Sequence, residues 1–163
     1  MAELTNLETK LGEVLGLAMA AQGATEKVKA LDEIDGDLAK ALERMHEEAK
    51  QAEERATDVA GSFEGKKTAI LEEAREVKKK ATEMMQDYLD SDSDALDGFE
   101  FLTMAEAGEV GHWRVVGTMS ERANVPGLQE LVEWGIPIQQ RHFEQVRQGS
   151  LKLAAEEDPN ETS

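Results

Sequence analysis

Cysteine is absent from this chain of 163 residues, and proline and aromatic residues are scarce. Without cysteine, the protein has no disulfide, no thiolate nucleophile and no thiolate metal ligand. Any metal site must therefore use oxygen and imidazole ligands, which suits iron, manganese or zinc. The length is typical of one domain with a sizeable hydrophobic core.

Basic residues are also few relative to acidic ones. The 18 Lys and Arg residues face 35 Asp and Glu residues, so the formal net charge is -17. We expect no nucleic-acid partner and no membrane partner, because such a chain has no basic surface to neutralise phosphates. The simplest role of the acidity is solubility, and the alternative is attraction of cations such as Fe²⁺.

No targeting segment is predicted. The first residues lack a basic region followed by an apolar run. The apolar stretch 14–21 is too short to span a bilayer and fits an amphipathic helix. A cytoplasmic location is therefore expected.

Apolar residues recur at helical spacing along most of the chain, which predicts five helices. The break between the first two falls either near Gly23 and Thr25 or at residues 35–37. The predicted segments cover about residues 4–21, 28–59, 64–89, 95–122 and 126–156.

The connections between these segments are short, so sequential helices should be antiparallel neighbours. This predicts an all-α, up-and-down bundle of about five helices, with residues 1–156 as one domain and 157–163 as a flexible acidic tail. A long coiled coil is the rival architecture, because the first three apolar stripes resemble heptads. The wider stripes of the last two helices, which contain both tryptophans, favour the bundle. Paired helical faces predict a homodimer.

Each of the three histidines follows a Glu or Gln by three residues. On a helix, residues three apart share a face, so each pair places an oxygen donor beside an imidazole nitrogen. Di-iron four-helix bundles build their sites from Glu-x-x-His units of this kind. The alternative is chance, since acidic residues are abundant. The pairs are Glu43/His46, Glu109/His112 and Gln139/His142.

The turn near residue 124 allows the registers of the last two helices to be compared. Glu106 and His142 lie equally far from this turn, and so do Glu109 and Gln139. The four side chains should therefore lie at one level if they face the interior. His112 lies one turn nearer the connection.

The two earlier helices supply further candidates. Glu8 shares an apolar stripe with Leu4 and Leu11, and the Glu43/His46 pair flanks the stripe of the second helix. Buried carboxylates need a metal, a proton or a strong partner, so a cation is the simplest compensation. The predicted metal ligands are Glu8, Glu43, His46, Glu106, Glu109, His112, Gln139 and His142.

Pro137 lies inside the last predicted helix. It removes the backbone N–H that would bond to Glu133, which predicts a kink one turn before His142.

Scattered short stretches resemble the ferritin-like superfamily, and within it the small bacterial stress-associated ferritin-like proteins of unknown function. Four helices of that superfamily carry Glu, Glu-x-x-His, Glu and Glu-x-x-His. Gln139 departs from this pattern, because the superfamily has a carboxylate there. The similar stretches are residues 7–11, 42–48, 65–67, 105–109 and 117–119. The matching ligand positions are Glu8, Glu43, His46, Glu109 and His142.

The resemblance implies a di-iron site that oxidises Fe²⁺ or consumes peroxide in stress protection, with manganese or zinc as alternative metals. Glu109 would bridge the irons, and His46 and His142 would be terminal ligands. Glu8, Glu43 and Gln139 would complete the shell. The alternative is a non-enzymatic helical stress or scaffold protein with a degenerate metal site.

Overall fold

A computed structural model describes residues 2–162, and this range folds into five α-helices without a strand. The prediction of an all-α bundle with about five helices is confirmed at this level. The predicted boundaries 1–156 and 157–163 include Met1 and Ser163, which lie outside the described residues. The helices are α1 (Asn6–Lys29), α2 (Gly36–Ala60), α3 (Lys67–Tyr88), α4 (Ala95–Ser120) and α5 (Leu128–Glu156).

The first connection follows one of the two predicted alternatives. α1 continues through Gly23, and the Thr25 hydroxyl donates to the Ala21 carbonyl inside the helix. α2 begins at Gly36, where the Asp35 carboxylate caps the helix by accepting from the Leu38 N–H. The break near residue 23 was therefore wrong, because a short polar side chain satisfied within a helix does not end it.

Four helices form a ring in which α1 contacts α2 and α4, and α5 contacts α4 and α2. α3 lies outside the ring and packs mainly on α1. Gly12 makes this contact close, because a Cβ there would lie 3.2 Å from the Ile70 carbonyl oxygen. Gly12 lies beside Ile70 and Gly16 lies beside Ala74, so the two helices run in the same direction.

The last two helices pack closely and antiparallel, as their short connection predicts. Gly149, near the end of α5, lies against the Phe99 ring near the start of α4. Gly135 accommodates the indole of Trp113, which is fully buried. The contact between Gly135 and Trp113 fixes the register of the two helices that carry the candidate site.

Pro137 lies inside α5 as predicted.

The hydrophobic core is divided into two clusters along the bundle axis. One cluster surrounds Leu15 and Trp113, and the other surrounds Leu42 and Phe99. The buried polar residues of α4 and α5 lie between these clusters in sequence, on the same helix faces. No helix within residues 2–162 is long and apolar enough to cross a membrane.

Candidate functional site

Four polar side chains of α4 and α5 are almost completely buried. Glu106 is 2% exposed, Glu109 4%, Gln139 1% and His142 2%. The equal distances of these residues from the α4–α5 turn predicted a common level, and the structure buries all four. Glu106 and His142 lie on facing helices, with 3.9 Å between Glu106 Oε2 and His142 Nδ1. We call these four residues the polar layer.

Glu48 on α2 reaches the same place and was not predicted. Its Oε1 lies 3.2 Å from His142 Nε2, and its Oε2 forms an ion pair with Arg141. Arg44 lies 3.4 Å from the same carboxylate. The signal was present in the sequence, because Glu48 follows Met45 by three residues and precedes Ala52 by four. The Glu43/His46 motif lies on a different face of α2, where Glu43 is exposed and His46 is partly exposed.

Glu48 also sets the tautomer of His142. A carboxylate held between two arginines only accepts hydrogen bonds, so His142 Nε2 is assigned as the protonated nitrogen. Nδ1 then presents its lone pair towards the polar layer. A histidine held in this way by a carboxylate is typical of metal ligands.

Several atoms of the polar layer lack a hydrogen-bond partner among the described residues. They are Glu106 Oε2, Glu109 Oε1 and Gln139 Oε1. Trp113 Nε1 points towards Glu109 without forming a hydrogen bond of ordinary geometry. Unpartnered buried polar atoms are rare in folded proteins, and an ion or water is a common reason for them.

Burial makes ionisation of the two glutamates costly. Desolvation raises the pKa of Glu106 well above its usual range, with a further contribution from the charge of Glu109. Desolvation also raises the pKa of Glu109 to about 7, although the nearby Trp113 indole N–H and the Glu106 carboxyl group oppose the rise. Burial lowers the pKa of His142, against the opposite effect of Glu48. Near neutral pH the pair therefore retains at least one proton, and the imidazole is neutral.

A cavity of about 610 Å³ adjoins the polar layer on the side of α1. Glu106 and Glu109 form part of its wall, and small side chains of α1, including Ala20, Ala21 and Ala24, form another part. Exposed lysines, Lys50 of α2 and Lys78 of α3, lie at its rim. We call this space the α1 cavity.

The structure places the other predicted ligands elsewhere. Glu8 forms a capping box with Thr5 and lies 3.6 Å from Lys66 Nζ. Glu43 is exposed and pairs with Lys29 at 2.7 Å, which lowers the pKa of Glu43. Each of these carboxylates already has a partner at a helix end or at the surface.

The remaining two histidines also lie outside the polar layer. His46 is partly exposed at the α1 cavity, and its Nδ1 lies 3.0 Å from the Gln22 carbonyl oxygen. His112 is exposed, with Nδ1 3.1 Å from Glu13 Oε2. Glu109 and His112 are thus on one helix but only Glu109 is buried, because the buried face of α4 continues from Glu109 through Trp113 and leaves His112 beside it at the surface.

The described residues contain no group of three or more Asp, Glu or His side chains already gathered to hold a metal ion. No protein-family model, curated protein or solved structure matches this chain. Its function must therefore be inferred from the polar layer itself.

Proposed function

We propose that the protein is a ferritin-like bundle that binds one divalent transition-metal ion in the polar layer. The ligands would be the carboxylates of Glu106 and Glu109, the amide oxygen of Gln139 and Nδ1 of His142. Glu48 would hold His142 from its other nitrogen. The observation that supports this proposal is that three buried oxygens of the polar layer lack a hydrogen-bond partner among the described residues, and that His142 Nδ1 lies 3.9 Å from one of them, Glu106 Oε2.

A two-iron site does not fit the residues present. The part of α1 that lines the α1 cavity has one acidic residue, Glu26, which is exposed and lies 3.6 Å from His46 Nε2. Glu8, Glu43 and His46 have partners away from the layer. We therefore propose one metal position in place of the expected di-iron centre, and no reaction that needs two irons.

The donor set suits a borderline metal. Two carboxylates, one amide and one imidazole are ligands that Fe²⁺, Mn²⁺ and Zn²⁺ accept. The bound ion would neutralise the two carboxylates and displace the proton that the pair retains near neutral pH. If the ion is iron, it would supply redox chemistry of the kind that the ferritin-like resemblance implies.

The alternative function is a non-enzymatic helical bundle whose metal site has degenerated. The observation that favours it is the burial of Glu106 and Glu109, which raises the pKa of both, so that protonation can compensate part of the buried charge without a cation. The two functions differ in one measurable property, which is the response of the folded protein to divalent metals.

The proposal is tested by thermal unfolding of chelator-treated protein with and without Zn²⁺, Mn²⁺ or Fe²⁺ under anaerobic conditions. We expect at least one metal to raise the melting temperature, because an ion that binds only the folded state stabilises it. Metal analysis should give about one ion per chain, as the single-ion proposal requires. Proton release should accompany binding.

Variants separate the polar layer from the other predicted ligands. Glu109→Ala and His142→Ala should each abolish the metal-dependent rise, whereas Glu13→Ala, Glu43→Ala and His46→Ala should retain it. Unchanged melting temperatures with all three metals would reject metal binding and favour the degenerate bundle. Loss of binding in Glu43→Ala or His46→Ala would instead restore a site that includes α2 as first expected.

A further inference from the structure

The α1 cavity contains two buried hydrogen-bond acceptors that are unused. Glu106 Oε2 and Glu109 Oε1 accept no hydrogen bond from any residue in the range 2–162. Both side chains line the cavity, and they are only 2% and 4% exposed. A buried carboxyl oxygen without a donor is costly, so this part of the cavity favours a ligand that brings N–H or O–H groups.

The charges around the α1 cavity favour a cation. Its lining has four glutamates against two lysines, which are exposed at the rim. The two more exposed glutamates have partners, since Glu26 lies 3.6 Å from His46 Nε2 and Glu53 accepts from the Gln22 amide at 2.5 Å. The unused acidic groups are therefore the two buried ones, and an acidic lining attracts positive charge.

The remaining walls of the cavity are mostly apolar. The volume of about 610 Å³ falls in the range typical of ligand pockets. Leu17, Ala20 and Ala24 of α1 form one wall, and Phe101 and Leu102 of α4 form another. The cavity thus combines an apolar chamber with two buried acceptors, as an amphiphilic cation requires.

We infer that the α1 cavity binds a primary amine with a small apolar body, whose ammonium group donates to Glu106 Oε2 and Glu109 Oε1. An ammonium group carries one positive charge and three N–H donors, which suits two unpartnered carboxyl oxygens. The apolar body lies against the alanines of α1. The inference does not depend on the proposed metal, although the two cations would need the same carboxylates and so exclude each other.

Protons on the two glutamates do not prevent this binding. Burial raises the pKa of both, but a positive charge beside a carboxyl group favours its ionised form. At pH 8 Glu109 is mostly ionised even without a ligand, because its pKa is about 7. His142, which faces Glu106, is neutral at this pH, and an alkylamine is protonated like a lysine side chain.

The test compares hexylamine, hexyltrimethylammonium, hexanol and hexanoate, which share one apolar chain and differ in the head group. Binding to the chelator-treated full chain is measured by isothermal titration calorimetry at pH 8. We expect hexylamine to bind at least about tenfold more tightly than the other three, because it alone offers charged N–H donors. Hexyltrimethylammonium has the same charge without such donors, so it measures the general attraction of cations to a chain of net charge -17.

Trp113 provides a local readout beside the buried acceptors. Its Nε1 points towards Glu109, so hexylamine should shift the indole N–H signal of Trp113 in a heteronuclear NMR spectrum. Trp134 lies outside the cavity lining, with the Arg55 guanidinium 4.3 Å from its ring centre, and its signal should not move. Equal shifts of both signals, or none at Trp113, would overturn the inference.

Variants locate the ammonium group within the cavity. Glu109→Gln should weaken hexylamine binding at least about tenfold and leave hexanol binding unchanged. Glu54→Gln, at an exposed position of α2 outside the lining, removes the same charge and should stay within about twofold of the parent. A large loss in Glu53→Gln with none in Glu109→Gln would place the ammonium at the opening and overturn the inference.

A second pair of variants tests the apolar chamber. Ala21→Leu should fill part of the cavity and abolish hexylamine binding. Ala107→Leu, at an exposed position of α4 outside the lining, is the matched control and should bind as the parent does. Unchanged binding in Ala21→Leu would contradict the placement of the apolar body.

Competition with Zn²⁺ separates this inference from the proposed function. Zn²⁺ in the polar layer should exclude hexylamine, because both cations need Glu106 and Glu109. Hexylamine binding by a protein that takes up no Zn²⁺ would reject only the metal proposal. Zn²⁺ binding without any preference for hexylamine over its analogues would reject only this inference. Independent binding of both cations would overturn the placement of the ammonium group at these glutamates.

Discussion

The two helical hairpins of the ring, α1–α2 and α4–α5, place the same residue types in opposite environments. In α4 and α5, Glu106, Glu109 and His142 are buried between apolar clusters. In α1 and α2, Glu43 and His46 lie at or near the surface with partners from the opposite helix. A Glu-x-x-His spacing therefore shows only that two side chains share a face. It does not show that this face points to the interior.

The two hairpins also differ in the pKa values of their glutamates. The ammonium of Lys29 lowers the pKa of exposed Glu43, whereas burial raises the pKa of Glu109 to about 7. Solvent and the nearby Lys29 ammonium stabilise the Glu43 carboxylate, whereas burial in the polar layer destabilises the carboxylate of Glu109. The environment of each side chain thus decides whether it acts as a surface charge or as a buried proton acceptor.

The largest expected effect is the pH dependence caused by Glu109. Its folded pKa lies above the unfolded value of about 4.5, so the folded state binds the extra proton and stability falls as pH rises from about 4.5 to 7. Glu109→Gln should remove this loss. Compared with the parent, it should gain about 3 kcal/mol in unfolding free energy between pH 4.5 and 8, measured by urea denaturation without metal.

The control for this experiment is Glu43→Gln. Lys29 lowers the pKa of Glu43, so stability from this pair is lost on acidification. Its difference from the parent should therefore have the opposite sign of pH dependence. His142 changes the parent and Glu109→Gln alike, because its lowered pKa makes both more stable as pH rises towards 6.5. A pH-independent difference for Glu109→Gln would show that Glu109 is not buried as a neutral acid.

The next effect concerns Glu48, the unpredicted member of the site. Glu48→Ala should leave His142 Nε2 and Arg141 without their partner and should cost about 1–3 kcal/mol. Glu43→Ala, on the same helix, should change stability much less than Glu48→Ala, because exposed pairs contribute little. Chemical denaturation at pH 7 measures both. Equal losses would remove the distinction between the buried and exposed faces of α2.

The smallest effect is expected at Pro137. Pro137→Ala would restore a backbone donor inside α5 and should stabilise the protein by about 1–2 kcal/mol, part of the roughly 3 kcal/mol penalty of proline in a helix. We also expect altered geometry around His142, visible as weaker metal binding at higher melting temperature. Lower stability instead would mean that the proline backbone is integral to the packing of α5 on α4.

Much of the architecture followed from local patterns. Helical spacing of apolar residues predicted five helices, because amphipathicity depends on residues close in sequence. The nearness of Glu106 and His142 also followed, since one short turn fixes the register of two antiparallel helices. Glu48 could not be placed in this way, because a long chain separates α2 from α5.

Local sequence patterns account for the helices, the acidic composition, the exclusion of thiolate chemistry and the facing positions of Glu106 and His142 on α4 and α5. Tertiary packing determines which glutamates are buried, brings Glu48 to His142 and leaves a cavity between α1 and the polar layer. The physical reason is that local patterns specify the faces of each helix. The rotation of one helix against another depends on close contacts, such as Gly12 on Ile70 and Gly135 on Trp113, between residues distant in the chain.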